Sequence, residues 1–310
     1  MRSPELLARC VRRHLPDLDG PVTLEPTPSG HFNDSFFVYS KGHEMVLRVA
    51  PSTDAGLLFY ERRMMRQEPA LHRLLIEKTS VPVPCVIAFD ASHQIIPRDF
   101  ILLERLTGRP LSEARRVNLS AVLKRVGECL AQVHAITATQ YGYLGEHRPM
   151  IPQDNWCDAF RVMWGLLLKD IRATGHYSSD EVVFMRAMLD KHLKVFVRAI
   201  PASLLHMDVW SQNILVEGDK LTGLIDWDQA LWGDPEIEFA VLDYCGISRS
   251  AFWAGYGRKS KQTDAAQTRH LFYLLYEIQK YIVIDHFRKG DPVSARSYKE
   301  QALQLVEQLP

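Results

Sequence analysis

A predicted β-hairpin in the second half of this 310-residue chain is surrounded by polar side chains. Apolar runs at residues 213–216 and 221–225 flank a short turn, which is the pattern of a hairpin. The polar side chains around it are those of His206, Asp208, Asn213, Asp226 and Asp228. Because the two ends of a hairpin meet, we expect Asp208, Asn213 and Asp226 to lie together. Their oxygens suit a hard cation, acid–base chemistry or both, although each residue alone could simply cap a turn.

The spacing of these residues is more specific than their types. His206, Asp208 and Asn213 follow the order His-x-Asp-x-x-x-x-Asn. Asp226 ends the second apolar run, eighteen positions after Asp208. This order is the signature of kinase-like phosphotransferases, in which the Asp of the loop orients or deprotonates the substrate hydroxyl. The Asn and the later Asp hold Mg²⁺ on the nucleotide phosphates. The pattern therefore predicts phosphoryl transfer.

The composition argues against several other classes of protein. Lys plus Arg equals Asp plus Glu at 37 each, so no net charge favours nucleic acid or an anionic membrane. The 5 cysteines form no Cys-x-x-Cys pair, which argues against a disulfide framework or a zinc site and suits a reducing compartment. The first residues lack the apolar core of a signal peptide, and no apolar run approaches the roughly 18–20 residues of a membrane span. We expect a cytoplasmic protein without nucleic-acid or membrane partners.

The first third of the chain is rich in strand patterns and follows a short helical run at residues 6–15. The β-prone runs lie at residues 35–40, 44–50, 86–89 and 99–103. A helix is predicted from about Asp54 through Glu68, with a break at Pro69 because proline disrupts a helix interior. We therefore predict about five antiparallel strands with one helix, ending near Leu106.

Arg48 interrupts the apolar run of the second predicted strand. A lone Arg on a strand is usually a solvated edge residue, but Glu68 on the predicted helix offers it a partner. Kinase-like folds hold nucleotide phosphates with such a pair of strand cation and helix carboxylate. The turn at residues 30–33 leads into the first strand and could place backbone N–H groups over the same phosphates. An ordinary turn would have the same sequence pattern.

The remaining two thirds of the chain are predicted to be mainly helical. Helical periodicity marks residues 118–138, 156–171, 181–200, 267–288 and 295–309. His134, near the end of the first of these helices, is interpreted as packed or capping rather than catalytic. Because the composition changes near residue 106, we predict a nucleotide-binding lobe at 1–106. A helical lobe at 107–310 would hold the catalytic loop and the acceptor pocket.

With these motifs the chain resembles the aminoglycoside phosphotransferase and choline kinase group, small-molecule kinases with a protein-kinase-like fold. The likeness runs from about residue 24 to 240. The motifs that carry it are the turn at 30–33, residues 46–48, Glu68, the connection at 103–108, the run 206–213, and residues 225–227 with 233–235. The resemblance implies an α+β bilobal fold, with a small antiparallel-sheet lobe containing one helix and a larger, mainly helical lobe. It also implies ATP or GTP and Mg²⁺ as cofactors.

The resemblance implies a role for each matching residue. Asp208 would be the catalytic base or hydroxyl-orienting group, and Asn213 and Asp226 would bind Mg²⁺. His206 and Asp234 would brace the catalytic loop. The nucleotide contacts would come from Gly30, Asn33, Arg48, Glu68, Glu104 and Leu106.

Two positions depart from the group's pattern. Met207 stands where glycine is common, so its side chain should find an apolar pocket. Arg48 stands where Lys is usual, and although it keeps the positive charge, its reach and forked geometry differ. We interpret both as variations that leave the site functional.

The acceptor is predicted to be a small-molecule alcohol. Only six residues separate Asp226 from Gly233, which is too short for the activation segment on which protein kinases dock peptides. The candidate acceptor contacts are Trp210, Asp228, Trp232 and Glu277. Trp227 is a further candidate for an aromatic wall of the pocket. From Arg249 onward ten Lys and Arg stand against six Asp and Glu, which favours a neutral or weakly cationic alcohol over a polycation.

Three functions are open on the sequence alone. An antibiotic-modifying phosphotransferase, acting on a nucleoside, peptide or macrolide for example, is the leading hypothesis. A metabolic kinase of choline, homoserine, a sugar or a thioribose is the alternative enzyme. The third is a nucleotide-binding pseudokinase with a regulatory role. Asp208, Asn213 and Asp226 argue against it, since degenerate kinases usually lack at least one of the three.

Overall fold

The computed structural model describes residues 3–28, 32–258 and 263–310, and it has the predicted mixed α+β class. The strands within those ranges are β1 (Thr23–Pro26), β2 (Asp34–Ser40), β3 (His43–Val49), β4 (Val86–Asp90), β5 (Phe100–Glu104), β6 (Arg109–Pro110), β7 (Thr137–Ala138), β8 (Ala202–Leu205), β9 (Ile214–Glu217), β10 (Lys220–Leu224) and β11 (Leu231–Gly233). The α-helices there are α1 (Pro4–His14), α2 (Glu68–Lys78), α3 (Leu119–His134), α4 (Trp156–Thr174), α5 (Ser179–His192), α6 (Pro235–Tyr244), α7 (Ser250–Tyr256), α8 (Asp264–Val283) and α9 (Pro292–Glu307). Helix α8 continues into a π-helical turn, Ile284–Lys289.

The N-terminal half is built on an antiparallel sheet. Over the described residues its strand order is β1-β2-β3-β5-β4, so the predicted five strands are confirmed. In the β2–β3 hairpin, Ser35 pairs with Arg48 and Ser40 with His43. Helix α1 packs on one face of this sheet through Leu7 and Val11, in addition to the contact of α2 with β4. The helical run predicted at residues 6–15 is therefore confirmed as α1, and it accompanies the one helix predicted within the sheet region.

The helix predicted from Asp54 begins only at Glu68. Turns and a 3-10 helix, Met64–Gln67, precede it. Pro69 lies in the first turn of α2, where its missing N–H would have no intrahelical partner and its fixed φ suits a helix start. The expected break at Pro69 is therefore wrong, because the proline stands at the one place in a helix that favours it.

Residues that precede α2 pack against the other half of the chain. Phe59 and Tyr60 lie in the same hydrophobic cluster as α4 and α8. The N–H of Phe59 donates to Asp170 Oδ2 at 2.7 Å, and Tyr60 stacks on Tyr143 with 4.8 Å between the ring centroids. Hydrophobic packing thus crosses the proposed division at residue 106, which stays a prediction.

The helical half has an aromatic core between α4 and α8. Trp156 and Trp164 are fully buried there, and Trp156 Nε1 donates to Tyr273 Oη at 2.7 Å. Two predicted helices end early. Helix α3 stops at His134 because the following residues pair with β8 as strand β7, and α5 stops at His192, where a 3-10 turn follows. No helix in the described ranges is both long enough and apolar enough to cross a membrane.

Helices α3 and α7 approach each other closely at two glycines. A Cβ at Gly127 would lie 2.8 Å from Tyr256 N, and a Cβ at Gly255 would overlap the carbonyl oxygen of Lys124. This approach places Tyr256 against His134, whose Nδ1 lies 2.8 Å from Tyr256 Oη. The α3–α7 pair thus fixes the position of a buried histidine.

The close approach of α3 and α7 predicts that Gly255→Ala lowers the free energy of unfolding by about 2–3 kcal/mol, because the added methyl group meets backbone. Gly165→Ala on α4 is the matched control, since a Cβ there meets nothing within 4 Å beyond its own helix. That variant should gain about 0.5–1 kcal/mol from replacing a helical glycine. Urea unfolding measures both values. Equal stability of the two variants would contradict the close approach.

Candidate active site

The hairpin β9–β10 brings the predicted catalytic residues together. Its strands pair in antiparallel register over a short turn. Asn213 Nδ2 donates to Asp208 Oδ2 at 2.8 Å and to the carbonyl of Asp208 at 2.9 Å. The N–H of Ile225 donates to the carbonyl of Asn213 at 3.1 Å, which places Asp226 beside them. Carboxylate and carboxamide groups therefore meet at the open end of the hairpin, as expected from its topology.

The loop that carries Asp208 is held from behind by a buried carboxylate of α6. Glu238 Oε1 accepts hydrogen bonds from the N–H groups of His206 at 3.0 Å and Met207 at 2.7 Å. Its other oxygen lies 2.6 Å from His134 Nε2. Burial would raise the pKa of Glu238, but the bonds from His134 and Met207 hold that pKa below its ordinary value. Glu238 is therefore an ionised clamp on the catalytic loop.

Glu238 was not among the residues predicted from the sequence, and His134 was interpreted only as packed or capping. One signal was present, because Glu238 is an acid inside the apolar run 237–242. A carboxylate in such a run is buried only if other groups compensate its charge. Its histidine partner, however, is 104 positions away in the chain, and no local spacing reveals that pairing.

Two residues of the site adopt the left-handed backbone conformation. Met207 has φ of 67° and Asp226 has φ of 70°. This conformation costs a non-glycine residue about 1–2 kcal/mol, so surrounding contacts must offset it. The Met207 side chain is buried in the main hydrophobic cluster, as expected, and its N–H is bonded to Glu238. The position where relatives use glycine is thus one whose backbone favours glycine.

His206 connects the catalytic loop to the strand that leads to Asp226. Its Nε2 donates to the carbonyl of Ile225 at 3.0 Å, and its Nδ1 accepts from the N–H of Asp208 at 3.3 Å. Both bonds fit a neutral imidazole. Burial lowers the pKa of His206, although Glu238 and Asp226 act in the opposite direction. The contacts are those that a bracing residue would make.

Asp234 makes its hydrogen bonds to residues outside the catalytic loop. It caps α6 by accepting from the N–H of Glu236 at 3.1 Å, and it also bonds Tyr273 Oη at 2.7 Å and Arg198. None of these bonds reaches the catalytic loop, so direct bracing by Asp234 is not observed. Asp234 instead fixes the start of the helix that presents Glu238.

Arg48 is buried among three carboxylates. Its Nη1 donates to Glu68 Oε2 at 2.7 Å. Its Nη2 donates to Asp226 Oδ1 at 2.5 Å and to Asp228 Oδ2 at 3.0 Å. Burial would lower the pKa of Arg48, but the surrounding carboxylates raise it above its ordinary value, so the guanidinium stays charged. The expected contact of Arg48 with Glu68 is present and joins the sheet to α2.

Asp228 lies on the side of Arg48 rather than in the predicted acceptor pocket. Its Oδ2 also accepts from Asn33 Nδ2 at 3.3 Å. The reason is local, because a 3-10 turn, Trp227–Gln229, follows Asp226 and directs residue 228 toward the sheet. Two predicted nucleotide residues therefore converge on Asp228. Gly30, which was predicted to act with them, lies outside the described residues.

The connection that was predicted to meet the adenine follows β5. The N–H of Glu104 donates to the carbonyl of Cys85 at 2.9 Å, and Glu104 Oε2 accepts from the N–H of Cys85 at 3.2 Å. The side chain of Leu106 packs directly on β10, where a Cβ on Gly223 would come within 2.9 Å of it. The N–H of Glu104 is therefore already hydrogen-bonded. The carbonyl of Glu104 and the backbone of Leu106 are the groups of this connection that could contact a nucleotide base.

A buried ion pair lies on another side of Asp208. Glu277 Oε2 and Lys280 Nζ, both on α8, are 2.5 Å apart and almost fully buried. Burial raises the pKa of Asp208 well above its ordinary value. Asp226 and Glu277 act in the same direction, and Lys280 and the bond from Asn213 act against it. The pair is therefore close enough to influence the charge of Asp208.

The tryptophans around the catalytic motif differ in exposure. Trp210 is 39% exposed and Trp232 is partly buried on β11. Trp227 is fully buried, its Nε1 donates to the carbonyl of Leu224 at 2.9 Å, and its ring centroid lies 4.2 Å from that of His206. Trp227 thus supports the catalytic loop, and its prediction as a pocket wall is wrong.

Asn213 and Asp226 are the predicted metal ligands, and each has a side-chain oxygen that could bind a cation. Because Asn213 Nδ2 bonds Asp208, the Oδ1 of the same carboxamide faces away from that residue. No cluster of three or more His, Cys, Asp or Glu in the described part of the chain is arranged to hold a metal. One carboxylate and one carboxamide fit Mg²⁺, which usually takes its other ligands from phosphates and water.

Comparisons with known proteins identify relatives over most of the chain. A model described as the phosphotransferase enzyme family matches residues 23–271. Hygromycin-B 4-O-kinase of Escherichia coli is 25% identical, over 78% of this chain and 68% of that protein. A probable ketoamine kinase of Synechocystis is 30% identical, over 59% of this chain and 61% of that protein.

The fold is also found in a solved structure. It is a thermostable mutant of aminoglycoside phosphotransferase APH(4)-Ia, in a ternary complex with AMP-PNP and hygromycin B. The two share 19% identity with a TM-score of 0.66, over 95% of this chain and 98% of that one. The protein-kinase-like fold expected from the sequence is therefore confirmed.

The clamp on the catalytic loop predicts that Glu238→Gln lowers the free energy of unfolding by about 1–3 kcal/mol, because a neutral amide pairs poorly with His134. The matched control is Glu217→Gln, an exposed carboxylate on β9, which should change the same quantity by less than about 0.5 kcal/mol. Urea unfolding measures both. A Glu238→Gln variant as stable as the wild type would refute the clamp.

Proposed function

Since the family model matches most of its length, this protein belongs to the phosphotransferase enzyme family, and we propose that it phosphorylates a hydroxyl of a small sugar-derived amine. It is a phosphotransferase with an alcohol group as acceptor, as its relatives are. The phosphoryl donor in the proposal is ATP or GTP with Mg²⁺. The preferred acceptor class is a ketoamine.

The observation that carries this proposal is the assembly of Asp208, Asn213 and Asp226 beside the buried pair of Arg48 and Glu68. Phosphoryl transfer depends on in-line positioning and charge neutralisation more than on covalent participation of the protein. In the proposed reaction Asp208 accepts the proton of the acceptor hydroxyl while the hydroxyl oxygen bonds to the γ-phosphorus of the nucleotide. The bond between the γ-phosphorus and the bridging oxygen breaks, and the nucleoside diphosphate leaves.

The other residues position the phosphates. Mg²⁺, when bound, neutralises charge on the phosphate oxygens, and Asn213 and Asp226 are the residues that would hold it. Arg48 would contact the phosphates, with Glu68 fixing its guanidinium. The bond from Asn213 to Asp208 orients the carboxylate that receives the proton.

The acceptor class is inferred from the relatives and from the buried ion pair on α8. One relative is named as a ketoamine kinase and another as a hygromycin kinase, so an amine built on a sugar is common to both. The carboxylate of Glu277 is already compensated by Lys280. Little free negative charge is therefore left there for a polycation, whereas a singly charged ketoamine needs less of it.

An aminoglycoside is the second candidate acceptor, which would make the protein an antibiotic-resistance enzyme. The match to hygromycin-B 4-O-kinase favours it, because that relative is 25% identical over 78% of this chain.

The proposed role of Asp208 predicts that Asp208→Ala retains nucleotide binding and loses turnover by about three orders of magnitude or more. Coupled-enzyme detection of nucleoside diphosphate measures turnover, and calorimetry with a non-hydrolysable ATP analogue measures binding. Glu217→Ala, at the far end of the same hairpin, is the control and should keep wild-type values. Equal turnover in Asp208→Ala and wild type would remove Asp208 from the mechanism, whereas no turnover in either protein would leave the pseudokinase alternative standing.

The proposed acceptor class predicts the result of a substrate panel. With ATP and Mg²⁺, ketoamines should give at least about tenfold higher kcat/KM than aminoglycosides, choline or homoserine, because differential binding of the acceptor sets that ratio. Nucleoside diphosphate release under identical conditions provides the comparison. Turnover with aminoglycosides alone would select the second candidate, and turnover with choline or homoserine alone would reject both.

A further inference from the structure

Asp228 is a buried residue of the helical region that is hydrogen-bonded to the N-terminal sheet region. It lies two positions after Asp226 and its side chain is 3% exposed. Three side chains from the first 67 residues reach it. Asn33 and Arg48 donate to its carboxylate, at 3.3 and 3.0 Å, and Gln67 Nε2 donates to its carbonyl at 2.5 Å.

The three donors are themselves buried and come from different elements. Asn33 immediately precedes β2, Arg48 is on β3, and Gln67 ends the 3-10 helix before α2. Each is separated from Asp228 by more than 160 positions in the chain. Because water does not compete at a buried junction, these bonds are stronger than surface bonds of the same length. Asp228, which follows the hairpin, therefore fixes three segments of the N-terminal region that face it.

Arg48 Nη2 is shared between Asp226, which is the candidate metal ligand, and Asp228. It donates to Asp226 Oδ1 at 2.5 Å and to Asp228 Oδ2 at 3.0 Å. A divalent cation on Asp226 would repel the guanidinium and compete for the same carboxylate. If Arg48 then had no other acceptor for Nη2, a buried charged donor would be left unpaired, which is unfavourable. Asp228 already supplies that acceptor.

We propose that Asp228 is a positioning residue for the nucleotide and its Mg²⁺, a role that rests on the proposed function of Asp226 as a metal ligand. Asp228 retains Arg48 when Asp226 binds the cation. It also holds Asn33, the residue that immediately precedes β2. On this assignment Asp228 acts on the donor nucleotide and has no direct contact with the acceptor.

The test is Asp228→Asn, which keeps the shape of the side chain and removes its charge. Calorimetric binding of a non-hydrolysable ATP analogue is measured over a series of Mg²⁺ concentrations. The concentration that supports half-maximal binding should rise by about tenfold, because the variant compensates the displaced guanidinium poorly. The KM of the acceptor should stay within about twofold of wild type, and Glu217→Gln should match wild type in both measurements.

Asn33→Ala is the second variant, for the case in which Asp228→Asn unfolds. It should raise the dissociation constant of the same analogue, and an unchanged dissociation constant would overturn the assignment. Where Asp228→Asn folds, the effect of Asn33→Ala in that background should be smaller than in wild type because the two side chains share one bond. Unchanged Mg²⁺ dependence in Asp228→Asn, or a rise confined to the acceptor KM, would overturn the assignment. If the wild type turned over no nucleotide but the Mg²⁺ shift were present, the proposed function would fail and the positioning role of Asp228 would stand.

Discussion

The buried guanidinium of Arg48 is the constraint on which the arrangement of the site depends. A charge removed from water is tolerated only when opposite charges and hydrogen bonds compensate it. Here the compensation comes from Glu68 on α2 and from Asp226 and Asp228 after β10. The sheet, the helix beside it and the hairpin end must therefore meet at one point. The phosphates of a nucleotide would meet the same guanidinium, so the interaction that assembles the halves also prepares the donor site.

A second buried charge holds the catalytic loop from the opposite side. Glu238 binds the N–H groups of His206 and Met207, and His134 on α3 pairs with it. Through these bonds the α3–α7 packing determines where Asp208 lies. The left-handed backbone at Met207 is the cost of that placement, and its buried side chain and bonded N–H offset the cost.

Local signals allowed much of this to be predicted from the sequence. The β9–β10 hairpin, the spacing of Asp208 and Asn213, and the strand position of Arg48 all depend on residues close together in the chain. The contacts that the sequence did not reveal join residues that are far apart in the chain. The partners of Glu238 and Asp228 lie 104 and more than 160 positions away. Trp227, which follows Asp226 in the sequence, faces inward because its turn packs it on His206.

The central claim is that this assembly transfers a phosphoryl group to a small-molecule hydroxyl. The most direct measurement is phosphorus NMR and mass spectrometry of the acceptor after incubation of the full chain with ATP, Mg²⁺ and a ketoamine. One phosphomonoester should form on the acceptor for each ADP formed. ADP accompanied only by inorganic phosphate, with every acceptor supplied, would contradict it.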